Sequence, residues 1–342
     1  MELTNRKKAI IAEIVKYHIE SGAPCGSKLL AERLENAPST ATLRNEMADL
    51  TEMGYLEQPH TSAGRLPTHK AYRLYVSELM GKQPLSQEGR EIIDGMLETV
   101  RHDPETLGSS AAEIISALTG LPSVSASDTL GGARLKKVNL LPMGRGAGVI
   151  FVITDDGRTR SRLVRLPQSF NGEMLKRFEN LVEEKICGKE VSLLGMADLQ
   201  SLAVSAGGDA LVMAPLLSCV FEMASELKAA RVNVGGAGNL FSLCREDMQA
   251  RQLLDLLRTG EAVSSIFSGV RSPVEIIFGD DTGFSELKPT GMIVASYGGN
   301  GLGKIAVIGP TRMEYDKILP SVEYLAKRVG SIMTEVLKGL EE

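Results

Sequence analysis

Apolar residues in the first fifty positions recur every three or four places, the period of helices with one buried side. In "TNRKKAIIAEIVKYHIESG" this puts Ile10, Ile11, Ile14, Val15 and Ile19 together, with Thr4 or Asn5 as cap and Gly22 just past the end. "SKLLAERLE" predicts a second, short helix with Ser27 as cap and Leu29, Leu30 and Leu34 inward, stopping at "NAPS". "STATLRNEMADLTEMG" predicts a third. Ser39 caps it, Leu43, Met47 and Leu50 form its buried stripe, and Gly54 supplies the left-handed end. Its other face carries Ala41, Asn45, Ala48 and Glu52, flanked by Thr42 and Arg44. Small and hydrogen-bonding side chains gather in its first two turns, while Glu46, Asp49 and Glu52 come later. The leading half can therefore approach an anion while the acidic half stays away.

A short helix, a tight turn and a third helix that opens with Ser, Thr, Arg and Asn is the helix-turn-helix arrangement, with the last helix free for the major groove. An ordinary three-helix packing unit with a solvated face has the same periodicity, so the helices alone leave both readings open. The next stretch favours DNA. "GYLEQPH" suits a short strand, "GRLPT" its return, and Ser62 to Gly64 has the chemistry of the turn between them. The product is a β-hairpin wing beside the third helix, with His60, Thr61, Ser62 and Arg65 near its tip. The expected groove contacts are Ser39, Thr40, Thr42, Arg44 and Asn45; the expected backbone and wing contacts are Lys28, His60, Thr61, Ser62 and Arg65.

"STATLRNEMADLTEMGYLEQPHTSAGRLPTHKAYRLYV" resembles the signature of HrcA, the heat-inducible transcription repressor family. "SYGGNGLGKIAVIGPTRMEYDKILPSVEYLAKRV" is similar to that family's C-terminal segment, and "VNVGGAGNLF" to a motif in its middle. The resemblance runs over nearly the whole chain and is least distinctive from about Gly81 to Val138. It implies a repressor of chaperone operons that binds an inverted repeat in double-stranded DNA as a homodimer, is released on heat shock, and depends on the chaperonin to stay active.

Downstream, "THKAYRLYVSELM" predicts a helix with Tyr72, Tyr75, Val76 and Leu79 on one face, and "GKQPLSQEG" a polar linker. A helix from Glu105 to Leu118 leads into three strand-like runs, "ARLKKVNLLPM", "AGVIFVITDDG" and "RTRSRLVRLP", with "DDG" as a hairpin turn. The pattern is then mainly helical to about Arg258. Strands return at "SPVEIIFGDD", "GMIVASYGG" and "GKIAVIGP" before a closing helix. Strands, helices and again strands predict one α+β domain interrupted by a helical insertion, and the resemblance implies a GAF-like domain split by a dimerisation domain. The expected organisation is multidomain α+β: a winged helix-turn-helix at 1–82, GAF-like segments at 83–168 and 273–342, and the insertion at 169–272.

Composition sets limits around this reading. The 342 residues exceed one ordinary core, and 43% apolar with 24% charged residues is the balance of a folded protein. The polar start "MELTNRKKAI" lacks a secretory apolar segment, and "ALVMAPLLSCVF" is short for a bilayer crossing, so a cytoplasmic protein without membrane contact is expected. Cys25, Cys187, Cys219 and Cys244 show neither CxxC pairing nor adjacent histidines, so neither a disulfide framework nor a metal site is expected. Net charge is −5, yet Met1 to Met80 holds ten basic and ten acidic residues, so the first unit is neutral overall. Neutrality suits DNA binding only where the two signs lie on different faces.

Two glycine-rich motifs invite a nucleotide reading. "GGNGLGK" (Gly298 to Lys304) fits half of a P-loop, but position 305 is Ile where a magnesium-binding hydroxyl is needed, and "IAVIGP" reads as a strand where a helix is needed. A glycine-rich hairpin is the better reading. "VGGAGN" (Val234 to Asn239) lacks the third glycine of the dinucleotide fingerprint and reads as a loop. No nucleophile-base set stands out, and His102 lies alone, so no enzyme and no cofactor is expected. The alternative is a sensor that binds a small ligand or nucleotide through the GAF-like domain.

Overall fold

The computed structural model describes residues 3–60, 63–81, 83–101, 104–127, 132–144, 146–228, 231–244, 246–288, 290–298 and 302–338. Three helices open the chain: α1 (Asn5–Ser21), α2 (Ser27–Arg33) and α3 (Thr40–Glu52). Thr4 caps α1 by accepting from the Lys7 N–H, and Gly22, left-handed at φ 68°, ends it. A Cβ on Gly22 would come within 2.7 Å of the Arg312 guanidinium, a flexible side-chain end that can move aside, so it is the left-handed φ that calls for glycine here. Ser27 does not cap α2 as expected: it is the first helical residue, and Gly26 holds the cap position with no side-chain hydrogen bond. A hairpin of β1 (Leu56–Glu57) and β2 (Leu66–Pro67) follows α3, antiparallel, and leads into α4 (His69–Leu74), which runs on as a π turn at Tyr75–Leu79. Ile10, Ile14, Leu30, Leu43, Leu50 and Leu56, all 2% exposed or less, fill the centre of this unit.

His18 marks where α1 faces α4. Its Nδ1 lies 2.7 Å from the Tyr72 hydroxyl, and burial, with the Arg312 charge second, holds its pKa below the ordinary 6.5. A depressed imidazole pKa means that the unfolded chain binds the proton more readily. The stabilisation is therefore complete above about pH 6.5 and is lost as pH falls through the lower folded value. We expect the urea midpoint of the N-terminal unit to fall between about pH 7 and 5.5, and less so in His18→Gln; parallel pH profiles for the two proteins would contradict this.

The chain continues through α5 (Gln87–Glu98), α6 (Pro104–Thr119) and β3 (Ser123–Ser127). Next come β4 (Leu135–Gly144), β5 (Ala147–Thr154), β6 (Thr159–Arg165), α7 (Gly172–Lys185), α8 (Met196–Ala206) and α9 (Ala210–Glu226). The last elements are β7 (Val232–Gly235), α10 (Leu240–Leu243), α11 (Asp247–Arg258), α12 (Gly260–Ser268), β8 (Val274–Phe278), β9 (Thr290–Tyr297), β10 (Gly303–Pro310) and α13 (Tyr315–Lys338).

Five of these strands form one antiparallel sheet in the order β7-β3-β10-β9-β8. Its inner strands are buried on both faces, which is why β9 and β10 read as continuous apolar runs. Ile293, Ala295, Ile305 and Val307 share a core with residues of α6 and α13, while Met292, Val294, Ala306 and Ile308 share one with α11 and α12. Gly303 pairs with Tyr297, so "GGNGLGK" joins two strands of a hairpin as expected; 299–301 lie outside the described residues.

A second, three-stranded antiparallel sheet, β4-β5-β6, packs one face on α7, α8 and α9. Leu135, Val138, Ile150 and Val152 share that core with Phe178, Val182, Leu217 and Val220. The expected boundary at 168/169 cuts through it, because these strands bury their apolar side on the helices that follow. The expected end at 272 differs too, since α11 and α12 cover the five-stranded sheet. The class is mixed α+β, as expected.

Met196 to Glu226 is long and apolar enough to cross a membrane by length and composition. It is broken at Gly207, and α8 packs against α9, so the two halves do not form one straight rod.

Candidate nucleic-acid interface

The elements that carry the expected contacts meet on one side of the N-terminal unit. Ser39 caps α3 by accepting from the Thr42 N–H at 3.2 Å, and its hydroxyl lies 2.9 Å from that of Thr42. Both hydroxyls are thus engaged locally, with Ser39 exposed and Thr42 half-buried. Thr40, Ala41, Arg44 and Asn45 are exposed along the first two turns, opposite buried Leu43, Met47 and Leu50. This divides the helix as its spacing requires.

The acids of α3 point elsewhere. Asp49 accepts from the Lys7 ammonium at 2.8 Å, and Glu46 lies 3.7 Å from both Lys7 and Arg6 of α1. The Asp49 hydrogen bond raises the Lys7 pKa despite some burial of the ammonium. Because α1 neutralises Glu46 and Asp49, and Glu52 lies a turn or more further on, the leading turns of α3 present Arg44 without a carboxylate partner among the described residues. This is the charge segregation by face that a neutral unit needs to meet a polyanion.

The hairpin is strapped beside α3 rather than left to swing. Cys25 and Arg65 exchange both backbone hydrogen bonds, at 2.9 and 2.8 Å, which adds a third backbone segment to the hairpin. Gly64 sits so close to this bridge that a Cβ would fall 2.4 Å from the Cys25 carbonyl oxygen. Burial pushes the Cys25 thiol up to about 11, so at neutral pH it is a packing group rather than a nucleophile. On the far side the Thr68 hydroxyl donates to the Gly54 carbonyl at 2.7 Å, and the Lys70 ammonium donates to the Met53 carbonyl at 2.9 Å.

Arg65 lies on the loop side of the last strand pair, Glu57 and Leu66, where it is half-buried and its Nε donates to the Thr51 hydroxyl of α3 at 3.0 Å. The reason is the bridge to Cys25, which turns its side chain onto α3. His60 is exposed in the connection, while Thr61 and Ser62 lie outside the described residues. Lys28, Arg44 and Arg65 are brought together as walls of one groove, with Gln58 and Gly64. Gln58 was missed by sequence reasoning. Its amide donates to the Ala63 carbonyl at 3.1 Å across the hairpin, and its place directly after "GYLE" was the available signal. The groove runs between the start of α2, the leading turns of α3 and the hairpin, with two arginines and a lysine on its walls and only donors at their tips. Such a surface suits phosphate oxygens and base edges. Among the described residues no group of three His, Cys, Asp or Glu side chains gathers as a metal site would require.

The family described as "HrcA protein C terminal domain" matches residues 105–319. The chain is 31% identical over 336 residues to the heat-inducible transcription repressor HrcA of Acetivibrio thermocellus, covering 96% of each. To the repressor of the same name from Ruminiclostridium cellulolyticum it is 32% identical over an alignment of 349 residues, covering 100% of this chain and 99% of the relative. A crystal structure of a hypothetical protein at 2.2 Å resolution is similar in fold, with a TM-score of 0.59, 21% identity and coverage of 98% of this chain and 100% of that one.

Proposed function

The chain belongs to the HrcA family of heat-inducible transcription repressors, and from that premise we propose that it binds an inverted-repeat operator of chaperone genes as a homodimer. Residues 1–82 form the winged helix that reads DNA, with α3 in the major groove and the hairpin as wing. The observation that carries this reading is the division of α3: Ser39, Thr40, Arg44 and Asn45 face outward beside Lys28 and Arg65, while Glu46 and Asp49 are neutralised by α1. Arg44 would meet guanine and Asn45 adenine, with Ser39, Thr40, Thr42, Lys28, His60, Thr61 and Ser62 on sugar and phosphate. Arg65 holds the wing against α3.

The five-stranded sheet with its helices is the GAF-like domain, and the unit from 132 to 228 is the inserted dimerisation domain. Its outer surface carries exposed apolar side chains at Leu141, Met143 and Leu163 on the sheet and at Val204 and Leu211 beside the α8–α9 turn. Apolar surface of this kind supports burial against a second copy. A two-fold dimer would offer two reading helices to two half-sites. Selection from a random duplex pool tests the reading: the enriched sequences should be inverted repeats, and enrichment of unrelated or asymmetric sequences would contradict it.

A cytoplasmic repressor tuned by a chaperonin needs only marginal stability, so that chaperonin occupied by other clients leaves the repressor inactive. Recovery of operator binding after dilution from urea should therefore rise severalfold when chaperonin and ATP are added. Equal recovery with and without them would remove the chaperonin from the account.

A further inference from the structure

The first turns of α4 carry the aromatic contact between the N-terminal unit and the body, while Arg312 of the body also lies against Gly22 at the end of α1. Phe278, at the end of β8, is gripped from two sides: the His69 ring stacks on it at 4.3 Å with parallel planes, and the Arg73 guanidinium sits 5.3 Å from its centre. His69 and Arg73 stand four positions apart, so both reach the same ring from one helix face. Tyr72 meets Phe278 at a tilt with ring centres 6.1 Å apart and touches Tyr315 of α13 at 5.9 Å. Charge reinforces the grip. That charge is the pairing of Arg73 with Asp281; the His69 ring also lies beside Asp280, with Nδ1 3.6 Å from its carboxylate.

The receiving turn is rigid. Asp281 also accepts from the Phe278 N–H at 3.3 Å, and a Cβ on Gly279 would collide with the Leu287 carbonyl oxygen. Its partner helix is tied equally firmly to the reading surface, because Thr68, the residue before His69, is hydrogen-bonded to Gly54 and Tyr55 at the end of α3. A rotation of α4 on Phe278 would therefore carry α3 and the hairpin with it. On the other side the chain leaves the unit through Gly81, left-handed at φ 74°, and reaches α5 only at Gln87.

We propose that His69, Tyr72 and Arg73, gripping Phe278 and paired to Asp281, are positioning residues that set the angle of the reading unit on the body and so the half-site spacing the dimer accepts. This rests on the DNA-binding reading of the unit. A dimer reads two half-sites only when its helices are held about one duplex turn, or a multiple of it, apart, and the α4 contact is the joint that holds each of them. A merely structural contact would affect stability without changing which spacing is preferred.

The test uses the full chain with Arg73→Glu, which places a carboxylate against Asp281 on a half-exposed surface, and the swap Arg73→Glu with Asp281→Lys. Subtilisin cleavage between α4 and α5 should rise about fivefold in Arg73→Glu and return toward the wild-type rate in the swap. On duplexes whose half-sites are moved apart in single base-pair steps, the wild type should lose about tenfold in affinity two steps from its optimum, Arg73→Glu less than about threefold, and the swap about tenfold again. An unchanged cleavage rate in Arg73→Glu, or an unchanged spacing preference, would overturn the proposal. Should the wild type bind no duplex, the repressor reading fails, and the cleavage rates still decide whether the contact is a joint.

Discussion

Arg44→Ala is expected to weaken operator binding by about 1 to 3 kcal/mol per half-site and to relax the base preference at one position in each. The magnitude follows from what the side chain is set up to do. Arg44 stands exposed in the second turn of α3, on the groove it shares with Lys28 and Arg65, and no carboxylate among the described residues satisfies it. A guanidinium in that position has a fork of donors available for the two acceptors on a guanine edge, and deletion leaves those acceptors unmatched. Both subunits lose the contact, so the effects should add to roughly twice the single-site value for a symmetric operator. Lys28→Ala should differ in kind, lowering affinity across all sequences and reducing the salt slope by about one. Affinities for the operator and for its single-base variants distinguish the two; an Arg44→Ala protein with wild-type preference at every position would remove Arg44 from base reading.

Gly64→Ala should destabilise the N-terminal unit by about 1 to 3 kcal/mol and displace the wing. The added methyl carbon would lie 2.4 Å from the Cys25 carbonyl oxygen and 2.8 Å from the Gly26 nitrogen, both backbone atoms. Neither can retreat without breaking the paired Cys25 and Arg65 hydrogen bonds that strap the hairpin to the start of α2. Relief must therefore come from the hairpin moving off α3, which also pulls on the Arg65 bond to Thr51. We expect a lower urea midpoint and weaker binding to every duplex, operator or not. A protein with wild-type midpoint and affinity would show that the close approach is absent in solution.

Much of the candidate surface was legible because it is local. The caps of α1 and α3, the stripe Leu43, Met47 and Leu50, and the left-handed glycines Gly22 and Gly54 all lie within a few residues of what they control. The turn of the Arg65 side chain onto α3 had a distant cause, since its partner in the bridge is Cys25, forty positions earlier. Strand β3 escaped notice for a chemical reason. "SVSAS" is poor in bulky apolar residues, and Ser123 and Ser125 face α6, where their hydroxyls donate to the Ala112 and Gly108 carbonyls at 2.5 and 2.6 Å. Its neighbour β7 was read as a loop because Gly235 and Gly236 look like turn residues; Gly235 is glycine because a Cβ would meet the Ala112 backbone at 2.4 Å. Helix α5 followed a stretch read as linker, and only its packing on α13 through Ile93 and Leu97, with Asp94 accepting from Tyr324 and Arg328, shows why it forms. The pairing of sheets with helices was hidden for the same reason: periodicity identifies β4, β5 and β6 as strands without saying which helices cover them.

The central claim, that this chain reads an inverted repeat through α3 and the wing of each subunit, is tested most directly by binding of the purified protein to an inverted-repeat operator duplex and a scrambled duplex of equal length over a series of salt concentrations. The account predicts tight binding to the operator, weaker binding to the scrambled duplex by at least about a thousandfold, and a steep fall of both with salt. Equal affinity for the two duplexes at every salt concentration would contradict it.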